Sequence, residues 1–462
     1  MAPVRMQRVA VVAPWEALRD TLVGVAESGR VELDRSGAAG EGAPGPAGRR
    51  LQRLRGEPVR AVLSPGPPDL DALERAGRVD LLAGEAQLEE RLGSAVRRGS
   101  VAAVAGWCPV RDVRATAARL AGAGGTLVPL PAPRGTDPPT LLRETGALRG
   151  AFRPLLGTYG TVPYPDLDPT MAAGLAYVVM FGVMFGDAGH GALLLLGALA
   201  LRRGRPRRLA RLHRLWPFVA GAGIASVLAG LAYGEFFGPT GVLPVLWLSP
   251  PAEPLRLLTA AAALGAGLLA LAYAAGIANR WREGGPSSAL YAPSGVAGAL
   301  LFLGLGLLAG AVAAGIPGLA AGGGLLCLAG LVLAGSGWYA ASSHGAGGVA
   351  QTAVQLLDMV LRIGSNTISF TRLAAFGLTH AALGGIVWQG TTALVGSGPA
   401  GALGAVAVFT AGNALAFALE ALVAGVQALR LEFYELFSRV FEDQGRPFRP
   451  WRLPIERVEA VP

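Results

Sequence analysis

Hydrophobic and polar positions divide the chain into two regimes. Up to about residue 165 they alternate at short range. From about residue 171 to residue 431 the chain is mainly Leu, Ala, Gly and Val, interrupted by short charged loops. Residues 284–357, 74 in all, contain no Asp, Glu or Arg, and neither do the 47 residues between Arg372 and Glu420. A helix crossing a bilayer needs about 20 apolar residues, so these runs predict membrane spans. Spans are expected at 215–237, 255–278, 290–315, 318–340, 354–395 and 401–431. Residues 170–201 are expected to form two short crossings that meet at the glycine-rich turn 186–191 (GDAGHG), making about eight in total.

The first region has a different period. Residues 5–13 alternate and are rich in Val, as in a strand, residues 15–28 have helical spacing, and residues 30–34 resemble a second strand. Residues 36–48 (SGAAGEGAPGPAG) have a linker's composition. A helical stretch follows at 69–98, then a strand at 101–107, a helix at 110–123 and a strand at 126–130, which repeats the β-α-β pattern. Two small α/β lobes joined by helices are expected. The predicted fold is an α-helical polytopic membrane domain (166–440), its last two helices long and tilted, preceded by a small α/β cytoplasmic domain (1–165). A cytoplasmic tail (441–462) follows it.

Charge fixes the expected orientation. Arg202, Arg203, Arg205, Arg207, Arg208, Arg211 and Arg214 crowd seven positive charges into one short loop without an acid, which the positive-inside rule assigns to the cytoplasm. The loop expected at 279–283, with Arg280 and Arg282, falls on the same side. An even number of crossings brings the arginine-rich C-terminal segment there as well. The opening segment MAPVRMQRVAVVAPWEAL is too short in its apolar run for a secretory signal. The net charge of +9 lies largely in membrane-flanking loops and does not indicate nucleic-acid binding.

Candidate chemistry concentrates in the last two spans. Arg372 sits deep in an apolar run, where a cation costs about 2.5 to 3.5 kcal/mol and so normally faces protein or water with a task there. His380 is eight residues on, about 12 Å along a helix and on a similar face; Glu420 and Arg430 are related in the same way on the final span. Ser365, Asn366 and Gln427 add polar atoms. Two such helices side by side can line a polar path interrupted by a fixed cation, because a guanidinium holds or displaces a carboxylate but does not relay protons. Structural readings compete: Arg430 can snorkel to the interface beside Glu432 and Glu435, Glu420 can be an arginine's partner, and His380 can be a packing residue. Asp187, His190 and Glu235 lie in apolar stretches, where hydrogen bonding in tight turns is their simpler role. The chain has no lysine and so no P-loop. Its scattered histidines and its two cysteines, Cys108 and Cys327, suggest neither a metal site nor a disulfide. No cofactor is expected.

At these residues the chain resembles subunit a, or subunit I in prokaryotes, of the V/A-type rotary ATPases (the 116 kDa subunit family). The blocks YPDLDPTMAAGLAYVVMFGVMFGDAGHG, GLAYGEFFG, SNTISFTRLAAFGLTHAAL and LEALVAGVQALRLEFYELFSRVFEDQGRPFRPW are similar to that family's membrane signatures in order. VRMQRVAVVAP and VAAVAGWCPVRDV fit its soluble half. The family's soluble domain is longer and carries an extended helical hairpin, so a shortened form is implied.

The resemblance implies that Arg372 is the family's essential membrane arginine, that Arg430 is its second arginine, and that Glu420 and His380 belong to the half-channels. It implies a non-catalytic stator subunit in a prokaryotic plasma membrane. Its partners would be a proteolipid ring with a membrane carboxylate facing Arg372, peripheral-stalk subunits, the central stalk and ATP-hydrolysing subunits indirectly, and lipid. Read from the residues alone, a stand-alone secondary transporter using Arg372 and Glu420 as a gated pair is the alternative, although no inverted repeat is visible. A receptor with a passive membrane anchor is a third reading, which the interior charges weaken.

Overall fold

The computed structural model describes residues 3–34, 44–54, 60–133, 136–142, 146–204, 212–342, 344–441 and 445–456. Much of the predicted linker 36–48, together with Arg205, Arg207, Arg208 and Arg211, lies outside these residues. The chain forms two units, residues 3–143 with 445–462, and residues 1–2 with 144–444.

The first unit is built on one antiparallel sheet. In chain order its elements are β1 (Met6–Pro14), α1 (Leu18–Ser28), β2 (Glu32–Leu33), α2 (Pro46–Leu54), α3 (Leu70–Arg75), α4 (Val79–Gly93), β3 (Val96–Arg98), β4 (Val101–Pro109), α5 (Val113–Ala121) and β5 (Thr126–Leu130). The strand order is β2-β4-β1-β5, with β3 pairing to β4. The two β-α-β patterns expected as two lobes therefore interleave in a single split β-α-β sheet. The central register pairs Met6 with Pro109 through to Pro14 with Val101. Gly106 is required where β2 crosses β4, because a Cβ there would run into the Glu32 carbonyl.

Leu18, Leu22, Val25 and Ala26 recur at helical spacing on α1 and bury that face against Val9, Val11, Val104 and Leu127. The helical stretch predicted at 69–98 is broken. Asp69 caps α3 through the amides of Asp71 and Ala72 (2.9 and 3.2 Å), and Gly77 adopts φ 65° before α4 begins. Glu89 on α4 accepts the Ala47 amide at 3.0 Å, placing an anion at the N-terminus of α2. Residues 445–456 complete this unit. The Trp451 amide donates to Val31, that of Leu63 to Pro454 and that of Glu456 to Leu63, at 2.9 to 3.0 Å, and Trp451 and Leu453 enter the core. Cys108 is buried there, and burial pushes its thiol up to about 12, so it packs as an inert apolar group.

The second unit is helical: α6 (Ala147–Tyr159), α7 (Thr170–Met184), α8 (Ala188–Arg202), α9 (Trp216–Tyr233), α10 (Pro254–Tyr291), α11 (Val296–Ala314), α12 (Pro317–Ala341), α13 (Gly345–Ser369), α14 (Thr371–Leu394), α15 (Gly398–Leu431), a π-helical segment (Glu432–Phe437) and α16 (Ser438–Val440). Six helical stretches among the described residues are long and apolar enough to cross a membrane, α13 and α14 counting as one. The shorter apolar pair α7 and α8 has 15 residues each, about 22 Å against a hydrocarbon core of about 30 Å. Outward-facing Leu271, Leu325, Val332, Leu403 and Leu422 are exposed, as suits a lipid-facing surface.

Residues 279–283, expected as a loop, continue α10, since no helix breaker intervenes before Gly285 (φ 72°) and Pro286. Asn279 is buried on this extension and binds both neighbouring segments: its Oδ1 accepts from the Leu167 amide (3.0 Å) and its Nδ2 donates to the Val440 carbonyl (3.2 Å). Asp166 is buried nearby. Burial, reinforced by the neighbouring Glu283, pushes its carboxyl up to about 8 against the pull of Arg280 and Arg282.

Candidate functional site

Residues 354–395, expected as one span, bend at Phe370. Thr367 and Thr371 turn their hydroxyls onto the Ile363 and Ile368 carbonyls (2.9 and 2.7 Å), a local bonding habit that bends helices. The fully buried Phe370 ring packs on Gly265 of α10, where no Cβ would fit. The bend sets Arg372 in the first turn of α14. Its Nε donates to the Ser369 carbonyl (3.0 Å) and its Nη2 to Glu435 Oε1 (3.1 Å).

Glu435 comes from the π-helical segment that follows α15. The wider turn shifts the register of α15 and directs Glu435 inward. Asn366, with its amide oriented to satisfy both ends, donates to Glu435 Oε2 (2.9 Å) and accepts from Arg439 Nη2 (3.2 Å). Arg372, Glu435, Asn366 and Arg439 thus form one chain of hydrogen bonds. Arg372 keeps 22% of its side-chain surface exposed while Glu435 keeps 9%, so the cation is tethered and still reachable. It opens onto a largely apolar groove of about 1250 Å³ between α10, α11 and α13, which Ser365 also lines.

Further along α14 lies a second cluster. His380 is buried and its Nδ1 pairs with Glu420 Oε2 on α15. Its Nε2 stands 4.0 Å from Asp187 Oδ2, and Asp187 Oδ1 stands 3.8 Å from His190 Nδ1. The turn between α7 and α8 fixes Asp187. Its Oδ1 accepts the amides of His190 (2.9 Å) and Phe237 (3.0 Å), and its Oδ2 accepts that of Gly238 (2.6 Å). Phe237 takes this position at φ 52°, a strained conformation for a phenylalanine that costs of order 1–3 kcal/mol. The rings of Phe185, Phe237 and Phe417 enclose His190, and Phe185 also packs on His380. Glu235 is buried within electrostatic reach of His380, Asp187 and Glu420.

The sequence-predicted residues therefore fall into two groups. Arg372 and Asn366 meet at one, and His380, Glu420, Asp187 and His190, with Glu235 beside them, meet at the other. Gln427 is half-buried on α15 and enters neither. Arg430 is exposed and forms no salt bridge among the described residues. Glu435 and Arg439 were missed as site residues, since in sequence they look like ordinary interfacial charges.

Comparison with known proteins bears directly on this arrangement. A family model for the V-type ATPase 116kDa subunit family matches residues 93–239, which include the Asp187 turn and Glu235. A-type ATP synthase subunit I of Aeropyrum pernix is 28% identical over 91% of this chain and 68% of its own length. Over these stretches the chain is similar to the V/A-type ATPase subunit a/I family. Subunit I of Halobacterium salinarum is 27% identical over 68% of the chain and 52% of its own length. The human V-type proton ATPase 116 kDa subunit a 3 is 33% identical over 30% of the chain and 19% of its length. The chain spans about two thirds of the Aeropyrum relative and about half of the Halobacterium, Pyrococcus horikoshii and Thermococcus relatives. The six helical stretches among the described residues that are long and apolar enough to cross a membrane fit a multi-pass membrane protein.

Proposed function

We propose that this chain is the non-catalytic membrane stator subunit of a V/A-type rotary ATPase. In this reading it forms two proton half-channels against a proteolipid ring in a prokaryotic plasma membrane. The observation that carries the reading is Arg372, a permanent cation held by Glu435 and Ser369 yet open to a groove in the apolar face of the helical unit. A ring carboxylate arriving there meets a guanidinium that favours its ionised form and prompts proton release. At about 4 Å and intermediate dielectric the attraction is several kcal/mol, enough to shift a carboxyl pKa by units and weak enough to release it.

Glu435 is the resting partner of Arg372, from which the ring carboxylate takes over. The His380–Glu420 pair, about 12 Å further along α14, supplies protonatable groups on one side of this fixed charge. Arg372 conducts no proton itself and keeps the two half-channels from joining. Arg430 faces outward on α15, where it supports the contact with the ring. Residues 3–143 and 445–456 fold into one unit, so the chain leaves that unit and returns to it. That return requires an even number of crossings. The six long stretches with α7 and α8 supply eight, and both ends are cytoplasmic by the charge of the loop at 202–214. The sheet unit would meet the peripheral stalk.

The test is ATP-driven proton uptake into proteoliposomes carrying the purified assembly, with Arg372→Gln compared at matched subunit content. Uptake at the level of protein-free vesicles, with the assembly intact, is expected. Undiminished uptake would overturn the barrier role.

A further inference from the structure

Asp187, His190 and His380 come from two elements far apart along the chain, and one ligand atom from each lies within 4.8 Å of the others, all three residues being buried. Two ligands about 2.0–2.1 Å from a tetrahedral zinc ion are about 3.4 Å apart, so His380 Nε2 and Asp187 Oδ2, 4.0 Å apart, need to close by about half an ångström, and the widest separation in the group, at most 4.8 Å, by up to about 1.4 Å. The remaining chemistry fits the same ion. Glu420 occupies His380 Nδ1, which leaves Nε2 as the nitrogen facing Asp187. A carboxylate behind a histidine in this way orients it and raises its basicity toward a metal. Asp187 Oδ1 takes two backbone amides and Oδ2 only one, so Oδ2 keeps a lone pair on the side of His380. Three backbone amides also hold that carboxylate still, so little ordering is lost on binding.

We infer that Asp187, His190 and His380 form a site for a divalent transition-metal ion of the zinc class. His380 binds through Nε2, Asp187 through Oδ2 and His190 through its ring. Two imidazoles and one carboxylate suit zinc over magnesium or calcium, which prefer all-oxygen shells. The ion binds where both imidazoles are neutral, so protons compete with it. The site does not depend on the transport reading, and its test needs no turnover.

The chain has four histidines in all, and the other two, His213 and His344, are exposed. This allows a clean measurement on the full chain purified in detergent without a polyhistidine tag. Zinc binding is titrated by calorimetry at pH 7.5 in a His213→Ala/His344→Ala background, then with His190→Asn or His380→Asn added. X-ray absorption at the zinc edge reports the ligands. One ion per chain is expected in the double-alanine background, with two imidazoles at about 2.0–2.1 Å. At least tenfold weaker binding is expected when either His190 or His380 is replaced, and weaker binding again at pH 5.5. Loss of binding in the double-alanine background itself would overturn the assignment by moving the ion to the surface histidines. So would a zinc shell without imidazole nitrogen. Both of these hold even if His190→Asn fails to fold.

Discussion

The two polar clusters of the helical unit solve the problem of charge among apolar helices by different means. Around Arg372 the charges are long, flexible side chains: two arginines, one glutamate and an amide, joined mainly side chain to side chain at 2.9 to 3.2 Å. Around Asp187 the anion is held by three backbone amides in a strained turn, and its neighbours are short, stiff rings. The first arrangement exchanges partners at little cost, because no backbone has to move. The second is fixed in place and offers stationary protonatable atoms. On the proposed function, a passing carboxylate and a stationary path ask for these two kinds of construction respectively.

That contrast is open to attack at four points. The largest effect is expected from Glu420→Gln, which leaves His380 without its anion. Removing a positioned acid–base partner should cost roughly a hundredfold in proton uptake, and near-normal uptake in the same proteoliposomes would take this cluster out of the path. Glu435→Gln should cost about tenfold, as expected for one charge-assisted hydrogen bond of about 1.5 kcal/mol. It should act on uptake far more than on thermal unfolding, because Arg372 retains the Ser369 carbonyl. An equal loss in both would make Glu435 a structural tether.

Asp187→Asn should show the reverse balance. The amide keeps one acceptor for three backbone donors, so about 1–3 kcal/mol of stability should be lost in detergent-phase unfolding. An unchanged melting temperature would contradict the claim that the turn depends on the carboxylate. The fourth point is Asp166, outside both clusters. Its carboxyl is raised from 3.8 to about 8, so between these values the folded chain holds a proton that the unfolded chain has released. Stability contributed by this group should therefore fall as pH rises from about 4 to 8 and level off above. Asp166→Asn should flatten that slope, and an unaltered profile would show that the group does not titrate in this window.

Legibility in the sequence followed the length scale of each feature. Apolar runs longer than a bilayer revealed the long helices, and Arg372 stood out because nothing charged follows it until Glu420. His380 and Glu420 were both visible, but their pairing is a contact between helices that spacing on either helix does not encode. Glu435 was illegible for a local reason, since its inward direction depends on a π-helical register that no 3.6-residue pattern displays. His190 and His380 likewise gave no metal spacing, because the turn at 186–191 and the middle of α14 meet only in the folded chain. In the sheet unit the strands were readable by alternation. Their merger into one sheet was not, because β1 pairs with β4 across all the helices from α1 to α4.

The last residues of the chain carry a consequence for how the protein is made. Trp451 and Leu453 belong to the core formed with Leu22, Val31 and Leu63, yet the whole helical unit, residues 144–444, separates them from the rest of that core. At about 5–20 residues per second the ribosome needs roughly 15–60 s to deliver them. During that interval the first-made unit waits with an open seam beside Val31 while every apolar helix behind it is being inserted. Closure of the seam is thus a late event, available only to chains whose membrane part has been fully synthesised.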